Sequence, residues 1–287
     1  MSGAVEIALP PPVSRWRFFL HNRVSVLGAA VFVSLVLLAV FGALLAPFDP
    51  ASVGIGPAMA DPSARFWMGT DELGRDVFSR VLAGLKISLV VGVSAAAAAT
   101  LIGVAVGALS GFFGGWIDDV LSRATEMFQV IPRFFLAILL VAFFGASLIN
   151  LILAIAILSW PELARIVRAE FLTLKTRQFV DAARVAGSGR FQLMFTEILP
   201  NALGPVIVNA TLQVGQAMLL EAGLSYLGLG DPSEISLGIM LHQAQQIMRT
   251  AWWATAFPGL MIFLAVLSIN LVGDGLNDVL NPRSRER

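Results

Sequence analysis

Three groups of charged residues could do chemistry in a chain that is otherwise poor in reactive side chains. Glu221 closes a long uncharged run, 198–220, and an acid at the end of such a run could meet an amino group or a cation; it could equally make a hydrogen bond between helices. Arg123, Glu126 and Arg133 precede another uncharged run, 134–161, where they could pair with one another, reach an interface, or line a polar path. Asp71, Arg75 and Asp76 are close enough in sequence to form a local salt-bridged turn, or to offer charge to another protein.

Little else invites catalysis. Cysteine is absent, which removes disulfides, thiolate nucleophiles and cysteine metal sites. The two histidines, His21 and His242, stand far apart in the chain, so no metal site is expected. The pattern G-x-x-x-x-G-K-[ST] does not occur, so the chain has no P-loop to cradle nucleotide phosphates. A hydrolase working inside a bilayer would need a nucleophile and base, or two facing acids. No histidine lies deep in an apolar run, and Glu221 has no acidic mate in another. No catalytic residue and no metal ligand is assigned.

The elements that must position these residues are apolar. Of 287 residues, 57% are hydrophobic and 13% charged, and the mean hydropathy is +0.82. That composition belongs to an integral membrane protein. Formal net charge is zero and the basic residues come in small groups, so no nucleic-acid surface is expected. A transmembrane helix needs about 20 apolar residues, and the runs predict an all-α protein with six spans. An N-terminal tail (1–23) leads into a span at 24–46 and a loop at 47–86. A core at 87–281 follows, with spans at about 87–110, 119–144, 148–165, 202–225 and 251–273 and then a tail at 282–287. The first span is too long for a signal-peptide core and lacks a small-x-small cleavage site, so it is expected to remain.

Orientation follows from Lys and Arg in the loops. One side collects Arg15, Arg17, Arg23, Arg165, Arg168, Lys175, Arg177, Arg184, Arg190, Arg283, Arg285 and Arg287. The other has Arg65, Arg75, Arg80, Lys86 and Arg249. Both termini and the loop between the fourth and fifth spans should be cytoplasmic. Trp252 and Trp253 read as an interface belt. The alanine run 95–99 with Gly92 and Gly103 reads as a close-packing face, turned either to the same chain or to a partner.

That loop holds the longest polar interval of the second half. Residues 162–179 are helical in pattern and extend the fourth span. Ala182, Ala183, Ala186 and Gly187 then have short side chains that admit another surface, with Ala183 and Gly187 on one helix face. Gly187 is expected to terminate this helix, Ser188 to cap the next, and Pro200 to stop it before the fifth span. The pattern fits an interfacial hairpin or a docking knob, and composition does not separate the two.

Resemblance does. Asp181-Ala-Ala-Arg-Val-Ala-Gly187, followed by Ile198-Leu-Pro-Asn201, resembles the EAA loop of permease subunits of bacterial ABC importers, with Asp181 in place of the usual Glu. Within that family the chain is similar to the C-type permeases of dipeptide, oligopeptide and nickel importers. The supporting motifs are Gly69-Thr-Asp-Glu-Leu-Gly-Arg-Asp-Val-Phe-Ser-Arg80, Leu224-Ser-Tyr-Leu-Gly-Leu-Gly230, Gly273-Asp-Gly-Leu-Asn-Asp278 and Asn281-Pro-Arg283. Tyr226, Leu237, Asn277 and Asn281 depart from the common residues and weaken any transfer of solute identity.

The resemblance implies an ABC type I importer permease fold with a cytoplasmic coupling-helix loop. It also implies a second, B-type permease as heterodimer partner, two cytoplasmic ATPases and an extracytoplasmic solute-binding protein. Asp181, Ala182, Ala183, Gly187, Ile198, Leu199 and Pro200 would couple to an ATPase. Asp71, Arg75 and Asp76 could touch the binding protein, and Glu221, Glu126 and Arg133 could serve the path or its gate. ATP and magnesium would sit on the ATPases, so this chain would carry no cofactor and be no enzyme. The setting would be the bacterial inner membrane. Peptide is the expected solute, with nickel complexes and glutathione-like solutes as alternatives. A stand-alone secondary transporter would predict an internal repeat and charges near mid-membrane, and no repeat is visible.

Overall fold

The computed structural model describes residues 22–280. Arg15, Arg17, His21, Asn281, Arg283, Arg285 and Arg287, with most of the N-terminal tail and the whole C-terminal tail, lie outside the described residues. Nine helices run through the described chain: α1 Arg23–Leu45, α2 Val77–Phe113, α3 Gly115–Val130, α4 Arg133–Phe144, α5 Leu148–Leu174, α6 Gln178–Val185, α7 Arg190–Leu229, α8 Leu237–Ala244 and α9 Trp253–Leu280. Among them α1, α2, α5, α7 and α9 are long and apolar enough to cross a membrane, and α3 with α4 makes a sixth crossing if the bent pair is one span.

Local chemistry sets the ends. Asn22 starts α1 by accepting the Val24 and Ser25 N–H groups. Asp76 starts α2 by accepting the Ser79 N–H and hydroxyl, so this helix begins well before residue 87. Gly114 and Gly115, at φ 67° and 55°, turn the chain from α2 into α3. Gly145 at φ 90° closes α4, and Ser147 caps α5.

The largest departure from expectation lies at 119–144. Instead of one straight helix there are two, meeting at 88°. Pro132 has no N–H to donate and drives the preceding residue out of the helical region, and Ile131 is accordingly extended at φ −90°, ψ 133°.

The helices assemble around glycine seams. A methyl group on Gly103 would lie 2.9 Å from Leu163 Cβ, and one on Gly111 would lie 2.6 Å from Phe171 Cβ. Gly107, on the same face between them, meets Ala164, Val167 and Arg168. Gly92 abuts Met218 of α7. The small-residue face of α2 is therefore turned to spans of its own chain, as in other close membrane helix pairs. Gly28 of α1 seats against Leu271 of α9 and Gly42 against Leu82 of α2.

Two cores result. One joins α1, α2, α7, α8 and α9 around Leu85, Leu89, Met218, Leu237 and Ala265. The other joins α2, α5, α6 and α7 around Leu163, Val167, Phe171, Val180, Met194 and Ile198. The start of α1 and the end of α9 share one end of the bundle, where Asn22 Nδ2 donates to Asp278 Oδ2 at 3.3 Å. The segment 47–76 folds over the opposite end, and there Trp253 departs from the belt reading. It is buried and donates Nε1–H to the Thr70 carbonyl at 3.0 Å, while Trp252 stays exposed.

Candidate functional site

The hairpin formed by α6 and the start of α7 is built from its anchors outward. In α6 one apolar residue, Val180, is wholly buried, and Ala183 packs beside it against the second core. Asp181 in the first turn and Arg184 in the last suit the helix dipole and pair with each other at 2.8 Å. Gly187 ends the helix at φ 90°. Its N–H donates to Arg184 O and that of Ser188 to Ala183 O, the paired bonds of a Schellman cap.

This corrects one expectation. Ser188 caps no helix: Gly189 occupies that position, and the Ser188 N–H is already committed to closing α6.

Pro200 also departs from its expected role. The helix does not stop there but runs on from Arg190 through Pro200, and is broken only near its far end, where Gly228 takes φ 85° before Leu229. Ahead of the proline, Leu193–Ile198 is π-helical, and Leu199 donates to Met194 O, five residues back. The widened turn takes the chain past a residue that cannot donate its own N–H.

The seven residues singled out for coupling thus divide. Asp181, Ala182, Gly187 and Pro200 are exposed, Ala183 and Leu199 are half-buried, and Ile198 is fully buried in the second core. Sequence reasoning missed the apolar residues that share the exposed side. Val185 is 89% exposed, and Phe191 and Phe195 are also open. The available signal was Val185 four residues after Asp181, on the polar face of an amphipathic helix.

The other charged residues are mostly held inside the chain. Asp71 Oδ2 accepts from Arg75 Nε at 2.6 Å and lies 3.7 Å from Arg80 Nε; both arginines also donate to Gln243 Oε1 of α8, at 3.2 and 2.8 Å. Asp71 and Asp76 are buried. Asp71 ties segment 47–76 together and Asp76 caps α2 through Oδ2, with Oδ1 buried and unpartnered, so neither is presented to another protein in this conformation, and only Arg75 of the three keeps partial exposure. Arg80, not singled out from sequence, is the most enclosed of this group's two arginines.

Glu221 is 1% exposed. It accepts from Ser88 Oγ of α2 at 3.0 Å and from Ser225 Oγ at 2.7 Å, and Ser88 Oγ in turn accepts the Leu237 N–H that opens α8. The interhelical reading fits it. Arg133 does not pair with Glu126. It reaches Glu162 of α5 at 3.0 Å, across the bend between α3 and α4. Glu126 is exposed and lines a cavity of ≈ 110 Å³ with Ser122, Thr125, Arg165 and Arg168.

An all-helical membrane chain with a short, cradled helix exposed between two of its spans is the architecture of a transport permease. Comparison places it. The model of the family described as binding-protein-dependent transport system inner membrane component matches residues 103–286, and that of the N-terminal TM domain of oligopeptide transport permease C matches residues 14–65. The chain belongs to this family of ABC importer permeases, and is a multi-pass protein of the inner membrane.

It is 38% identical to the dipeptide transport system permease protein DppC of Alkalihalophilus pseudofirmus, over 96% of this chain and 94% of that one. It is 39% identical to the di/tripeptide transport system permease protein DppC of Pseudomonas aeruginosa, over 97% and 94%. A glutathione transport system permease protein of Pectobacterium atrosepticum is 36% identical over 93% and 90%. Among solved structures, a chain of the MetNI methionine ABC transporter in inward facing conformations superposes with a TM-score of 0.58 at 21% identity, covering 70% of this chain and 96% of that one. That likeness supports the fold.

Proposed function

We propose that this chain is one of two permease subunits of an ATP-driven importer of di- or oligopeptides, and that α6 docks on a cytoplasmic ATPase. One observation carries the docking: α6 leaves a small-residue and apolar side open while Val180 and Ile198 fix its other side in the bundle. A closing ATPase can move the spans only if the element that it grips is firmly seated in them.

On this reading the α6 end of the bundle is cytoplasmic, and so are both termini. ATP and magnesium bind the partner ATPases, which hydrolyse the nucleotide, and this chain contributes no catalytic group. An extracytoplasmic binding protein delivers the solute to the end covered by segment 47–76. The peptide assignment draws on the two peptide permeases at 38 and 39% identity. The 36% identity to a glutathione permease makes glutathione the second solute to try.

The test is co-expression with the neighbouring genes and purification through a tag on this chain. The wild type is expected to retain an ATPase, and Ala182→Glu, which places charge on the exposed side of α6 at a helical position, is expected to fold and lose it. A folded wild type that holds no ATPase when one is available overturns the reading. Uptake of radiolabelled alanyl-alanine, with glutathione as competitor, decides between the solutes.

A further inference from the structure

The short joint between α2 and α3 consists of two glycines, Gly114 and Gly115, both at positive φ, and a side chain on Gly115 would meet nothing within 4 Å. Such a joint leaves the next helix free to swivel. α3 has little apolar anchorage to resist this, since Thr125 is its single buried residue and the Phe128–Trp160 edge contact, at 5.5 Å, lies near its far end.

What fixes its near end is Asp118. The carboxylate takes a fork from Arg168 of α5, with Nε at 2.6 Å and Nη2 at 2.7 Å. It also accepts from Ser122 Oγ at 3.1 Å and from Ser110 Oγ of α2. Fork geometry fixes orientation as well as distance.

Arg168 sits where the hairpin is anchored. Val167 and Phe171, on either side of it, share a core with Val180 and Ile198. Lys175 Nζ donates to Gly111 O at 2.9 Å, tying the end of α5 to the end of α2. The inner ends of α2 and α5 and the hairpin therefore form one packed body, and α3 is joined to that body at its near end by a glycine joint and by Asp118, through the Arg168 fork and the Ser110 hydroxyl, and at its far end by the Phe128–Trp160 contact. Beyond α3 the chain bends into α4, where Arg133 holds Glu162 and the Phe134 ring packs on Gly223 of α7.

We propose that Asp118 and Arg168 are the positioning pair that passes displacement of the α6 hairpin to α3, and across the bend to α4. With the fork closed, the glycine joint is locked and α3 follows the body gripped at α6. With it open, the body moves and α3 lags. This inference rests on the reading of α6 as the element that an ATPase grips.

The test uses the complete complex in liposomes. The chain has no cysteine, so Val120→Cys on α3 and Thr173→Cys on α5, both exposed, give it one spin-label pair. In the wild type the α3–α5 distance distribution should be the same without nucleotide and with ATP trapped. In Asp118→Asn it should broaden and shift with nucleotide. ATP hydrolysis should persist while alanyl-alanine transported per ATP falls by about tenfold, within the range usual for a lost coupling. Arg168→Lys, which keeps charge but loses the fork, should fall between, and the swapped pair Asp118→Arg with Arg168→Asp should recover part of the ratio.

A wild-type ratio and unchanged distances in Asp118→Asn overturn the proposal. So does loss of assembly by Asp118→Asn and Arg168→Lys alike, which would make the pair a folding staple. A wild-type complex that retains no ATPase refutes the docking reading instead, so the two failures are distinct.

Discussion

Replacing Gly107 with alanine tests whether the α2–α5 seam is packed to its limit. The added methyl would lie 2.7 Å from Val167 Cβ and 3.1 Å from the Arg168 nitrogen, and closer still to the Ala164 carbonyl oxygen. Carbon atoms pack best at about 3.5–4.0 Å, so the helices must part locally by roughly 1 Å. Two of the three obstacles are backbone atoms and the third is a Cβ, so none can rotate away. Gly103 and Gly111 abut α5 a turn away on either side, so that parting would thin their contacts too.

Overpacking of this kind costs about 1–3 kcal/mol. Taking about 2 kcal/mol and the scaling of soluble domains, the melting temperature should fall by roughly 4–8 °C. The assay is a heating series on detergent-purified protein, read by size-exclusion fluorescence. Gly189→Ala is the control, because its φ of −69° suits any residue and nothing lies within 4 Å; its shift should stay within about 0.5 kcal/mol. Gly107→Ala melting with the wild type would refute the claim of a closed seam. Val167→Ala added to Gly107→Ala should recover nothing, since alanine keeps the Cβ that the new methyl meets and leaves both backbone atoms in place.

Three further outcomes follow from the polar ties. Glu221→Ala should cost about 1–3 kcal/mol by stranding two buried hydroxyls and speed hydrogen exchange in residues 237–244; Glu221→Gln, which keeps an acceptor, should be milder, and equal effects would refute the tie. Trp253→Phe leaves the Thr70 carbonyl without its donor, so proteolysis of segment 47–76 should accelerate while the spans stay intact. Asp231 is held below the ordinary aspartate value by the Ser233 hydroxyl, with the Ser233 and Leu148 N–H groups adding to this. A folded pKa lowered in this way gives stability that is present above the unfolded value and is lost as pH falls through the folded one. Acid should therefore speed exchange at the start of α5 in the wild type, and Asp231→Asn should show no such acid step.

Uncharged runs made the straight crossings legible, because a bilayer demands length and apolarity of any helix that spans it. Glycine marked real boundaries at Gly114, Gly145 and Gly187, where only a residue without a side chain turns cheaply. The 88° bend was written in Pro132, but the long apolar run after Arg133 outweighed that signal. Arg133 meets Glu162 from another helix, a pairing that no local spacing encodes. The same limit hid the second fate of Trp253: neighbours in sequence, Trp252 and Trp253 point to different environments. In the hairpin, small residues disclosed the exposed side of α6, while the anchoring role of Ile198 required knowing how α7 returns to α5.

The π-helical turn at Leu193–Ile198 has a consequence for how this chain tolerates change. A residue advances an α-helix by about 100°, so the wider turn offsets the rotational phase of α7 against the hairpin before it. Within the turn, Met194 and Ile198 must face the core; downstream, Gln213 and Glu221 must face theirs. Both alignments hold only with the offset in place. Deleting one residue within 193–198 would let an ordinary helix form and misalign one set or the other. Gly189, next to the turn but outside any helix, has open space around it and could absorb an insertion. Chimeras between permeases of this family should therefore be joined at Gly189, never inside the turn that sets the phase.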